Sequence, residues 1–334
     1  MPGVTSEALV GRRIRKAVVP LAGWGTRLYP ASSSVKKGLF PLVDRDGVVK
    51  PVIQLIVEEA LGSGIEEICL VVGPDDEEAY RRHFQGLAGP AREAFAGKEW
   101  ALRQSDLLAE MGARLRFAVQ VVPRGYGDAV YQAREFVGGE PCLVMLGDHV
   151  YLPRQGSAGQ QGGAVAPRCA RQLLDVFEAF GAATSAVNVV GEEWLYNFGT
   201  VRGRRVGVEG GAAVYEVDEI VEKPSPAYAR ARLRSEGLPE GQYLCWFGLH
   251  AITPGIFDCL GEMIQRGGPE EVQFTAAQEA LRQRERYLVA VIDGERHDTG
   301  DPKGLVETQL ALALRSPYAD EVRQQAGAAP AQAG

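Results

Sequence analysis

The sequence predicts a three-layer α/β protein, a mostly parallel sheet covered by helices on both faces, with a smaller strand-rich part in its second half. Three observations carry this. Apolar runs of strand length alternate with helical patterns from residue 16 to residue 151. Those runs are apolar throughout instead of alternating, as strands buried on both faces are. In the second half, strand patterns follow one another with few helices between them.

In order, "KAVVPL" (16–21) is a first buried strand, and a polar glycine loop follows it. "PVIQLIVEEALGSG" (51–64) is framed as a helix by proline at its start and glycine at its end. A strand at 65–73 leads to a helix at 75–84 with an acidic first turn. Residues 86–113 favour helix but contain Gly and Pro, and read as an excursion from the sheet. A strand at 114–122, a helix at 127–137 and a strand at 141–151 complete the first half. "PRQGSAGQQGGAVA" (153–166) is rich in Gly, Gln and Ser, the composition of a mobile insertion. A helix at 171–181 and a strand at 183–190 resume the pattern. Strands at 198–208, 212–221 and 243–252 flank a polar helix at 226–236. A helix at 273–284, a strand at 287–293 and a helix at 302–315 end it. The expected organisation is an N-terminal extension (1–15), a single domain (16–315) and a disordered tail (316–334), with no internal repeat.

Composition narrows the function classes. At 334 residues with 46% apolar and 24% charged residues, the chain can bury a full core. No apolar run approaches the roughly 18 residues of a membrane span, and the N-terminus lacks the apolar stretch of a secretory signal. A net charge of −7 argues against general attraction to nucleic acid or to anionic membranes. The five cysteines are odd in number, without C-x-x-C spacing, which fits a reducing cytoplasm and excludes a disulfide framework or zinc site. The four histidines show no metal-ligand spacing, and no histidine–carboxylate pair is evident.

Against that acidic background, "AGWGTRLYPASSSVKKGLFP" (22–41) is basic and contains no acidic residue. It follows a strand, so Gly23 and Gly25 fall at the carboxyl edge of the sheet, where open α/β folds bind ligands. Glycines let backbone N–H groups approach phosphate oxygens. Arg27 offers a bidentate grip and Lys37 a point charge. The spacing is neither that of a P-loop nor, lacking a third glycine, that of a dinucleotide fingerprint. A bare G-x-G is more often a tight turn with solvated cations; Thr26, Arg27 and "KKGLFP" together shift the reading to a nucleotide triphosphate. Asp148, at the end of the apolar "VMLGDHV", is placed to hold Mg²⁺ beside such a loop. The same residue type also serves as a plain turn or cap.

"AGWGTRLYPASSSVKKGLFPLVD" resembles the signature of the nucleotide-sugar pyrophosphorylases, and among them the bacterial UTP–glucose-1-phosphate uridylyltransferases, with further motifs in matching order over about 16–315. The resemblance implies a Rossmann-like fold of the nucleotide-diphospho-sugar transferase type with a β-rich sugar-binding part. It implies that UTP and a sugar 1-phosphate, glucose 1-phosphate first, give a UDP-sugar and pyrophosphate with Mg²⁺. By the same resemblance Ala22, Gly23, Gly25 and Thr26 wrap the nucleotide, and Arg27 and Lys37 hold phosphates. Gln120, five residues before Gly125, reads uracil; its amide both donates and accepts. Asp298 completes a metal pair with Asp148. In "VDEIVEKPSP", Glu222 binds sugar hydroxyls and Lys223 the sugar phosphate, while Gly199 of "YNFGTV" lets the backbone touch the hexose. A homo-oligomer, dimer or tetramer, in the cytoplasm is implied, with no nucleic-acid or membrane partner.

The chain departs from that pattern at Trp24, Gly38 (for an acid), Asp128 (for a histidine), His149 (for a second aspartate), Phe198 (for tyrosine) and Leu249-His250 (for Arg-Tyr), and 44–50 and 153–166 look inserted. These changes bear on sugar, base and oligomer contacts. Arg27, Lys37, Asp148 and Lys223 are all kept, which argues against a non-catalytic regulatory homologue. A relative using dTTP or another sugar phosphate is the remaining alternative. A NAD-dependent dehydrogenase is disfavoured by the missing glycine and ribose-binding acid.

Overall fold

The computed structural model describes residues 9–154, 167–267 and 271–327. The first half contains β1 (Lys16–Pro20), a hairpin of β2 (Pro41–Val43) and β3 (Val49–Pro51), α1 (Val52–Gly62), β4 (Glu67–Val72), α2 (Glu77–Phe84), α3 (Gly89–Ala94) and α4 (Glu99–Ala113). It continues with β5 (Leu115–Val119), α5 (Tyr126–Gln132), α6 (Arg134–Val137), β6 (Cys142–Met145) and β7 (His149–Pro153). The second half has α7 (Cys169–Phe180), β8 (Ala183–Gly191), β9 (Thr200–Glu209), β10 (Ala212–Val221), α8 (Pro226–Arg232) and β11 (Gln242–Ile252). It ends with α9 (Gly255–Arg266), α10 (Phe274–Arg282), β12 (Tyr287–Val291), β13 (Gly294–Asp298), α11 (Pro302–Ala313) and α12 (Ala319–Gly327).

The main sheet has nine strands in the order β5-β4-β1-β6-β11-β8-β12-β10-β9. β5, β4, β1 and β6 are mutually parallel, as are β8 and β12; only β11 and β10 run against the rest. Successive residues of β1 feed opposite faces: Ala17 and Val19 join the core under α1, α2 and α7, and Val18 joins the core under α5, α9 and α10. That two-sided burial is why the strand is apolar throughout, and it makes the three layers. Among the described residues no helix is long and apolar enough to cross a membrane. The five cysteines are free and buried.

Three expectations are corrected. The strand at 141–151 is two strands: β6 stays in the main sheet, while β7 leaves it to pair with β13. The break falls at Gly147, where a Cβ would overlap the Pro20 carbonyl and lie 2.6 Å from Leu21 Cδ2, so the end of β6 presses on the end of β1. The 316–334 tail is helical over Ala319–Gly327; residues 328–334 lie outside the described residues. Pro153 closes β7 and does not belong to an insertion, and 155–166 again lie outside the described residues. Of the N-terminal extension, Leu9 and Ile14 are buried, and Gly11 N donates to the Glu178 carbonyl at 2.8 Å. The segment 44–50 forms the turn of the β2–β3 hairpin and the start of β3, where buried Lys50 bonds Asp44 at 2.7 Å and Glu58 at 3.2 Å. Helix α9 escaped the sequence reading because Pro254, Gly255 and Gly261 punctuate its pattern.

Candidate active site

The chain leaves β1 for β4 on one side and reaches β6 on the other, so a crevice opens at the carboxyl ends of these strands. Ala22, Gly23, Trp24, Thr26, Lys36, Lys37, Gly73 to Asp76, Gln120 and Val121 line a cavity there of about 800 Å³, a size suited to a small ligand. Trp24 stands 77% exposed at its rim.

After β1 the loop turns at Gly25, whose φ of 64° is left-handed, and passes through short 3₁₀ turns at Thr26–Leu28, Ala31–Ser33 and Lys37–Leu39. These bring Lys37 back over the start of the loop: a Cβ on Gly23 would lie 3.4 Å from Lys37 Nζ. Lys37 Nζ donates to Asp148 Oδ2 at 2.7 Å. The exposed Arg27 lies 3.6 Å from Asp301 and 3.9 Å from Asp298, loose pairings that leave it available to an anion. Gly38 has its physical reason here, since a Cβ would lie 3.0 Å from both Leu21 Cδ2 and the Tyr80 hydroxyl.

The β7–β13 ladder builds the acidic pole. Its register sets Asp298 opposite His149, next to Asp148. Thr299 donates to the Asp148 carbonyl through both N and Oγ1 at 2.8 Å. Asp148, His149 and Asp298 each offer a ligand atom within 4.8 Å of the others, a donor set that fits a divalent cation. His149 Nδ1 lies 2.9 Å from Asp148 Oδ1, so the sequence reading that saw no histidine–carboxylate pair, and no histidine among candidate ligands, is corrected. Burial alone would raise Asp148, but the His149 hydrogen bond and the Lys37 charge hold it well below the usual carboxylate range. Gly300 closes the pole, since a Cβ there would lie 2.9 Å from each of Arg27 Nη2, Asp148 Oδ2 and Asp298 Oδ1.

Gln120 follows β5 and donates to the Gly125 carbonyl at 3.1 Å and to Asp128 at 2.7 Å. Gly125 does not line the cavity; with φ 102° it makes room for Glu271 and Val272, whose Cβ and N would lie 2.9 and 3.1 Å from an added Cβ. At the strand-rich end, Glu222 accepts from Thr275 Oγ1 at 2.8 Å. Lys223 holds the left-handed φ of 45°, rare for a side-chain-bearing residue, and its ammonium has no ion-pair partner among the described residues. Around Gly199 the space for a Cβ is taken by the Trp246 indole, with Nε1 at 2.5 Å, and by Glu222 Oε2 at 2.9 Å. Trp246 Nε1 is buried and has no hydrogen-bond partner among the described residues.

The sequence matches the nucleotidyl transferase family over residues 16–314. The chain belongs to that family. The chain is 38% identical over 306 residues to "UTP–glucose-1-phosphate uridylyltransferase 2" of Streptococcus pyogenes serotype M3, covering 91% of this chain and 92% of that protein. It is 36% identical to "UTP–glucose-1-phosphate uridylyltransferase 1" of the same organism, covering 92% of each. Among solved structures it is similar to UDP-glucose pyrophosphorylase complexed with UDP-glucose (TM-score 0.68, 27% identity, 89% of this chain and 98% of that one). It is also similar to the UTP-bound enzyme of Acinetobacter baumannii (TM-score 0.69, 25% identity, 95% and 100%).

The structure brings together Arg27, Lys37, Asp148 and Asp298, and sets Ala22, Gly23, Thr26 and Gln120 around one cavity. Sequence reasoning missed Gly300, Thr299 and Arg296. The last donates to the Trp246 carbonyl at 3.1 Å and stacks 4.3 Å over Phe198, joining the β13 carboxylate to the Gly199 segment. All three stand in "ERHDTGDPKG", where the signal was a glycine directly after an Asp-Thr turn.

Proposed function

We propose that the chain transfers a uridylyl group from UTP to glucose 1-phosphate, giving UDP-glucose and pyrophosphate. The observation that carries this reading is the closure of the glycine loop, with Arg27 and Lys37, onto the carboxylates Asp148 and Asp298 at the edge of a nucleotide-sized cavity. The names of the relatives support the same substrates.

A phosphate oxygen of the sugar 1-phosphate attacks the α-phosphorus of UTP in line. The bond from that phosphorus to the oxygen bridging to the β-phosphate breaks, and pyrophosphate leaves with the electron pair. A phosphate monoester has a second pKa of about 6, so the nucleophile is already an anion and no proton acceptor is needed. His149 accordingly serves to orient Asp148. Catalysis is positioning and neutralisation of charge. Arg27 takes the leaving pyrophosphate, Lys37 the reacting phosphates, and Lys223 the phosphate of the incoming sugar, whose hydroxyls meet Glu222 and the Gly199 backbone. Asp148 and Asp298 would hold a divalent cation, Mg²⁺ in this reading, which when bound supplies the remaining positive charge between the two anions.

A panel of UTP, dTTP and CTP against glucose, galactose, N-acetylglucosamine and glucuronate 1-phosphates, read by pyrophosphate release with Mg²⁺ and with EDTA, tests this. UTP with glucose 1-phosphate should be the best pair and EDTA should abolish it. A better different pair, or turnover that survives EDTA, contradicts the reading.

A further inference from the structure

Gln120, 5% exposed, sits at the wall of the cavity with both protons of its amide committed. Nε2 donates to Asp128 Oδ2 at 2.7 Å and to the Gly125 carbonyl at 3.1 Å. Both partners are acceptors, so the nitrogen must face them and the amide has a single orientation. Asp128 is wholly buried on α5. Its other oxygen takes Arg124 Nη2 at 2.9 Å and Gln132 Nε2 at 3.3 Å. Every group hydrogen-bonded to the carboxylate is a donor, so Asp128 stays an acceptor toward Gln120. What Gln120 has left is Oε1, which accepts from nothing among the described residues.

We propose that Asp128 is a positioning residue for base choice, locking Gln120 so that the cavity presents an acceptor to the pyrimidine edge. A base carrying N3–H, as uracil and thymine do, donates to Oε1. Cytosine carries a lone pair at N3, and two acceptors then face each other with neither satisfied. One such mismatch in a desolvated site lowers affinity about 10- to 100-fold. An asparagine at 128 offers both a donor and an acceptor, so Gln120 can turn over and meet either base. The proposal rests on the reading above, that the nucleoside occupies this cavity.

The test is calorimetry of UDP, CDP and 3-methyluridine diphosphate with the wild type and Asp128→Asn, alongside kcat/KM for UTP and CTP. The wild type should bind UDP about 10- to 100-fold more tightly than CDP, and the methylated ligand no better than CDP. In Asp128→Asn the UDP-to-CDP ratio should shrink toward one, in binding and in kcat/KM alike. A parallel loss for both nucleotides, with the ratio kept, marks a merely structural carboxylate and overturns the proposal. If that variant does not fold, Asp128→Ser, which likewise offers both a donor and an acceptor, takes its place in the same comparison, and a kept ratio again overturns the proposal. In the wild type, equal affinity for UDP and CDP, or methylated ligand bound as well as UDP, overturns it while leaving the nucleotide reading intact. Binding of none of them overturns that reading, and the proposal with it.

Discussion

In the proposed reaction Lys223 meets the phosphate of the incoming sugar, and its backbone is built for one position. Its backbone sits at a φ of 45°, which costs a side-chain-bearing residue about 1 kcal/mol or more, and its N donates to the Phe198 carbonyl at 3.2 Å. That geometry fixes where the exposed ammonium leaves the chain, beside Glu222, which Thr275 anchors. Lys223→Ala should therefore lower kcat/KM for the sugar phosphate about 100-fold while leaving UTP binding nearly unchanged. Steady-state kinetics with each substrate varied, together with UTP calorimetry, checks it. An equal loss for both substrates contradicts the role given to this residue. Arg27, Lys37 and Lys223 stand out in the sequence because phosphate recognition uses few residue types. Trp246 does not, because it reads as an ordinary core residue of an apolar strand, and Arg296 does not, because its partner, the Trp246 carbonyl, is brought to it only by the fold.

Among the elements, the β7–β13 ladder is the one the sequence hid. Residues 141–151 read as a single strand because both halves are apolar, and only the packing of Gly147 against Pro20 and Leu21 shows the break. The break has a use, because β7 turns away to pair with β13 and sets Asp298 against His149 and Asp148. The turn after β13 then needs glycine at 300. Gly300→Ala forces a methyl between Arg27, Asp148 and Asp298, each 2.9 Å from the added carbon, and displaces them by a fraction of an ångström or more. Activity should fall about 100-fold, as misplacement on that scale does. Near wild-type turnover would show that these three side chains do not act together.

At the scale of the whole molecule, the parallel half of the sheet was plain from its unbroken apolar runs, and the mixed half was not. β11 runs against its neighbours although nothing in its composition says so, whereas β10 is turned back on β9 by the Gly210-Gly211 turn. The C-terminal segment was read as a disordered tail, yet Tyr318 packs on the hairpin turn at Gly47 and Ala319–Gly327 is helical. Its Ala- and Gln-rich composition conceals these contacts, which are supplied by a distant part of the chain. This architecture delivers Arg27, Lys37 and a carboxylate pair to one edge of the sheet, which is where the proposed reaction would hold its two anionic reactants. The most direct measurement is a crystal structure with UDP-glucose and a divalent cation. It should place the diphosphate between Lys37 and Lys223, with the cation on Asp148 and Asp298. A diphosphate bound away from these residues would contradict the account.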